Sequence, residues 1–190
     1  MGRELEIFAT LDLEPFKERA AAGKLDGGLA GQIGAARMEN SAQDFATRGG
    51  PEDADWYWLG QWAHRCIAEI YLDRQFHWLA WALDRKQPGA GVAVFGENYL
   101  LDPTEPRGHA CGTQGFPLKY TGQSKTAALS QLLLQWSGES VEDEVRLDEM
   151  EAVYKIDGYH PGRITKDFRR LSAFYEKAAA AKASLVVTLD

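Results

Sequence analysis

The chain has 190 residues, 45% hydrophobic and 26% charged, a length and balance that suit one globular domain and exclude a disordered chain. Its formal net charge of −7 disfavours a general nucleic-acid role, because phosphate binding is driven by Lys and Arg that release counterions. No apolar run approaches the roughly 18 residues of a membrane span, the N-terminus lacks a signal-peptide pattern, and Cys66 and Cys111 make no disulfide framework, so no membrane role and a reducing cytoplasm are expected.

Residues 4–11 have the length and pattern of a first strand. Asp12 then stands where it can cap a helix through LEPFKERAAAG, with Pro15 in the first turn and Gly23 at the end. Four glycines between Gly27 and Gly34 weaken any helix there, a short helix fits 41–47, and GGPED from Gly49 is a break. Five of the six tryptophans follow between Trp56 and Trp81. Apolar residues at 56, 58, 59, 62, 63, 66, 67 and 70 keep helical spacing and predict one helix. A second stripe, Leu72, Phe76, Leu79, Ala80 and Leu83, does not join the first smoothly, so a break near 71–73 is expected, with Asp73 as cap.

Gly89 to Gly91 ends these helices. VAVF (92–95) and NYLL (98–101) around Gly96-Glu97 read as a β-hairpin. The stretch 102–117 has three prolines and three glycines, and a loop of that length in a compact domain is usually functional or mobile. A short strand fits 118–120. Ser124 can cap a helix over KTAALSQLLLQW, an acid-rich helix fits part of 141–154, GYHPG (158–162) is a turn, and Thr165 can cap a long helix to about 182. SLVVTL (184–189) is a closing strand. Strands and helices do not alternate regularly. The expectation is therefore a single α+β domain over 1–190, with a small mixed or antiparallel sheet that includes both terminal strands and is covered by several helices.

YLDRQFHWLAWALD (71–84) resembles the Leu-Asp-Lys-x-Trp-His-x-Leu-His helix of the YfbM-like bacterial proteins of unknown function. PLKYTGQSKTAALSQLL and LSAFYEKAAAAKASLVVTLD are similar to that family's later helix and closing helix–strand. Phe76 replaces a Trp of the family pattern and Ala80 a second His. The resemblance implies a small α+β bacterial protein and no particular reaction.

Candidate chemistry is scattered. Asp73, His77 and Trp81 are spaced i, i+4, i+8, one row on a helix, where an Asp beside a His raises its pKa as a general base requires. In a helix, His64 and Cys66 point ~200° apart and cannot share a metal. His109 and Cys111 share the 102–117 loop, where Cys111 with His109 or His160 has the residue types of a nucleophile and base. Zinc needs four ligands and usually close-spaced pairs, so no metal or cofactor is expected. GAGVAVFG puts its glycines before the predicted strand, and GQSKT separates Gly122 from Lys125, so neither is a nucleotide fingerprint.

Between Glu139 and Glu151 seven acids face Arg146 alone. Such a run is a solvated face or a dock for a basic protein. With aromatic hot-spot residues it marks Trp56, Tyr57, Trp81, Glu142, Asp143, Glu144, Asp148 and Glu149 as candidate partner contacts. The functional expectation is a non-catalytic bacterial protein-binding protein, with an immunity-like inhibitor of a toxin as its narrower form. The alternative is a small hydrolase-like enzyme framed by the 102–117 loop and 158–162 turn.

Overall fold

The computed structural model describes residues 5–22, 55–72, 76–100, 118–150 and 159–189. One sheet organises them. Its strands are β1 (Leu5–Thr10), β2 (Ala68–Leu72), β3 (Asn98–Tyr99), β4 (Lys119–Thr121) and β5 (Ser184–Leu189), in the order β2-β1-β5-β4-β3. Every pair is antiparallel. Both terminal strands lie inside the sheet and pair from Leu5↔Leu189 to Thr10↔Ser184.

Helices cover both faces, as the alternation of a strand's side chains allows. On one face Phe8 and Val186 pack against Leu13 and Phe16 of α1 (Leu13–Ala21) and Leu59 and Trp62 of α2 (Asp55–Arg65). On the other, Leu5, Ile7, Ile70, Leu72, Leu185 and Val187 meet a larger core. That core is built from α3 (Phe76–Lys86), α4 (Val92–Phe95), α5 (Gln123–Leu133), α6 (Gly138–Glu142) and α8 (Arg163–Ala180); α7 spans Leu147–Met150. The architecture is α+β, as the pattern predicts.

The tryptophan stretch departs from its predicted form. The first helix stops at Arg65 and residues 68–72 are a strand. Ile67 donates its N–H to the Ala9 carbonyl at 2.8 Å, moving backbone hydrogen bonding from helix to sheet. Ile70 and Leu72 are buried on one face while Glu69 and Tyr71 are exposed on the other, a period of two that apolar spacing at 66, 67 and 70 cannot distinguish from a helix. This strand carries the chain from one face to the other. Trp62 therefore belongs to the α1–α2 core and Trp78 to the larger one.

VAVF is also a correction: it is helix, not a hairpin strand. The Asp84 carboxylate accepts the Gly91 N–H at 2.7 Å and fixes the turn. Ala93 and Val94 are then buried, and Tyr175 donates its buried hydroxyl to the Ala93 carbonyl at 3.0 Å. These contacts override the β preference of two valines. Gly96 follows with φ 76°, and a Cβ there would come within 3.0 Å of the Lys119 Cβ. Asn98–Tyr99 pairs with β4 instead.

Other helix starts differ too. Asp12 occupies the first cap position, but its carboxylate accepts from Arg65 Nε at 3.0 Å and ties α1 to α2. Gly122 and Gly162, not Ser124 and Thr165, are the cap residues of α5 and α8. The acidic segment makes two short helices, α6 and α7, rather than one.

Candidate functional site

A cleft among the described residues runs along β2, an end strand of the sheet. Its volume is about 620 Å³, within the range of ligand-sized clefts. Cys66, Ile67, Ala68, Glu69 and Ile70 form one wall, and Arg170, Ala173, Phe174 and Lys177 of α8 the other. The spacing 170, 173, 174, 177 is one stripe of a helix, so α8 presents a single face to the cleft. The adjoining stripe, Ile164, Phe168, Leu171, Tyr175 and Ala178, is buried in the larger core together with Phe174 and anchors that face.

Arg170 is held on both sides. Its Nη1 donates to Asp167 Oδ1 at 3.1 Å, and its Nη2 to the Tyr71 carbonyl at 2.8 Å. Asp167 is buried, so the pair is a fixed anchor between helix and sheet edge rather than a loose surface contact. Lys177 is exposed and makes no ion pair among the described residues. Cys66 lies half-buried at the far end, its thiol donating to the Trp62 carbonyl at 3.5 Å.

The acidic stretch is a different arrangement. Glu142 accepts four hydrogen bonds: from the Tyr159 hydroxyl at 2.9 Å, the Gly162 N–H at 2.5 Å, and the Thr165 N–H and hydroxyl at 3.1 and 2.5 Å. It caps α8 from outside the helix, where the first N–H groups have no partners of their own. Burial raises the Glu142 pKa, but the Thr165, Gly162 and Tyr159 donors outweigh it and hold the carboxyl below its usual range. The same contact, after burial, pushes the Tyr159 hydroxyl up to about 12. Glu139 pairs with Arg169, Glu144 with Lys86 at 3.7 Å and Glu149 with Arg85 at 2.5 Å. Of the acids that read as a free anionic face, Glu139, Glu144 and Glu149 are therefore matched by cations of α3 and α8, Glu142 is taken up by the cap, and Asp143 is exposed beside them.

The remaining candidates are dispersed. His77 is half-buried with its ring 4.1 Å from Phe76 and 5.4 Å from Phe95. Trp81 is half-buried on the same helix, with the Arg85 guanidinium 4.9 Å over its ring. His160 is exposed in the turn before α8. Trp56 and Tyr57 lie in the first turn of α2 and Asp148 in α7, with side chains outside the described set. Asp73, His109 and Cys111 lie outside the described residues. Among the described residues no three of His, Cys, Asp and Glu are placed to hold a metal, and no helix is long and apolar enough to cross a membrane.

Sequence reasoning missed Arg170, Lys177 and the β2 wall as a site. Reading 66–70 as helix hid the sheet edge that makes the cleft. The available signal was the 170, 173, 174, 177 stripe, in which Arg170, Ala173 and Lys177 flank the apolar stripe of the helix at Phe174.

No family model matches the sequence, and no curated protein is similar to it. Among solved structures, a protein of unknown function, YfbM from Escherichia coli, superposes over 100% of both chains with a TM-score of 0.53 and 11% identity. The chain has the fold of YfbM. At that identity the likeness is one of fold. The YfbM fold agrees with the resemblance seen in 71–84 and in the closing helix–strand, and the likeness spans the length of both chains.

Proposed function

We propose that this chain is a non-catalytic protein-binding protein whose contact site is the cleft between β2 and α8. The observation that carries the reading is the cleft itself: an apolar floor of Ile67, Ala68, Ile70, Ala173 and Phe174, rimmed by charged groups of which Arg170 is fixed in place. An apolar floor with a polar rim is the anatomy of a protein contact. No histidine lines this cleft, and its polar groups serve recognition geometry better than proton transfer. The acidic stretch supports the reading less, since Glu139, Glu144 and Glu149 are paired with cations of the chain itself.

The test uses the whole protein, immobilised, against host-cell extract. Ala173→Arg fills the cleft from an exposed helical position where the fold has room. A protein held by the wild type, lost with Ala173→Arg and bound again after purification supports the proposal. Identical captures by both forms, or a retained metabolite with no protein, overturn it. The narrower reading, an immunity-like inhibitor in a bacterium, further requires that the partner be toxic alone and neutralised on co-expression.

A further inference from the structure

We infer that the cleft recognises an extended acidic–apolar segment of its partner, with an apolar side chain on the Ile70–Phe174 floor and a carboxylate at the Arg170–Lys177 rim. This deepens the binding reading above and rests on it. The argument is charge complementarity over a fixed geometry. Two cations and one acid line the cleft. The acid, Glu69, lies on the other face of β2 from Ile70 and has an interaction of its own. Arg170 spends two donors on Asp167 and the Tyr71 carbonyl, which leaves the guanidinium's other N–H groups held in a set position. Lys177 lies two helical turns further on the same face, ~10 Å along the axis, and makes no ion pair among the described residues. That separation is spanned by about three residues of extended chain. In such a chain alternate side chains share a direction, so an apolar residue can enter the floor while its neighbours reach the rim. A basic segment would meet Lys177 with like charge and is disfavoured.

The probe is a fluorescein-labelled peptide in which Leu and Phe alternate with Glu, and two controls carry Gln or Lys in place of Glu. Fluorescence anisotropy against the full chain is expected to show the Glu peptide binding about three- to fivefold more tightly than the Gln peptide, the scale of an exposed ion pair. The Lys peptide should be weakest. Raised salt should narrow the gap, and Lys177→Glu, at an exposed position, should reverse the order of the Glu and Lys peptides. Equal binding of the three peptides, binding of none, or an order unmoved by Lys177→Glu overturns the inference. In those cases a protein still captured by the wild type and lost with Ala173→Arg leaves the binding reading standing. Loss of that capture as well removes both.

Discussion

By charge alone Glu142 belongs with Glu139, Asp143 and Glu144; by geometry it belongs to α8. Its carboxylate gathers the Tyr159, Gly162 and Thr165 donors and holds the start of the longest helix described. Removing an acceptor from several donors leaves each of them to be satisfied elsewhere. Glu142→Ala is therefore expected to destabilise the protein by about 2 kcal/mol, or about 4–8 °C in Tm, while Glu142→Gln should cost less because one oxygen remains. Calorimetry of the three proteins checks the order. A carboxyl held low in the folded state contributes stability above its ordinary value of 4.5 and loses it as pH falls through the folded value. The gap in Tm between wild type and Glu142→Gln should therefore shrink on acidification below that value. A gap constant from neutral pH to pH ~3 would contradict the carboxylate's role. Tyr159 works in the opposite sense. Its raised pKa makes its contribution complete below its ordinary 10.0 and lost as pH rises toward about 12, because the unfolded chain releases that proton first.

Among the elements, α6 and α8 meet where Gly138 leaves no room for a side chain. A Cβ there would stand 2.8 Å from the Thr165 carbonyl oxygen. Because that atom is backbone, Gly138→Ala must move one helix off the other, and Glu142 sits on the helix that moves. A loss of about 1–3 kcal/mol is expected in chemical denaturation, the scale of overpacking, and combining it with Glu142→Ala should cost less than the sum of the two. Additive costs would show that close approach and capping are independent. The elements also show where local pattern is decisive. The long helix and closing strand are legible because Phe168, Leu171, Tyr175 and Ala178 repeat at helical spacing over many residues. VAVF and 66–72 are not, because four or five residues satisfy both periods and the choice falls to partners distant in the chain. Asp84 and Tyr175 settle the first, and pairing with β1 settles the second.

For the whole molecule, the central position of β5 matters most. It pairs with both β1 and β4, and both faces of it are buried. A chain ended before Ser184 loses the strand between them and exposes both cores at once. Such a chain is expected to lose its cooperative thermal transition by circular dichroism, and a truncated protein that melts like the full chain would refute this. The same arrangement explains the tryptophans. Apolar spacing marks them as core, and Trp62 and Trp78 are indeed buried, but only the path of β2 around the sheet edge sends them to different cores. The candidate site divides in the same way. Charge was legible at 139–151, yet its pairing with Arg85, Lys86 and Arg169 depends on helices that the sequence separates widely. The cleft was not legible at all, since its walls come from residues about a hundred positions apart. The sequence by itself determined the α+β class, the terminal strands and the long amphipathic helix, because burial of a repeating apolar face is a local and additive demand. Tertiary structure alone decided the fate of short ambiguous segments, the partners of the acids and the existence of the cleft, because each depends on which distant group supplies the missing hydrogen bond or charge.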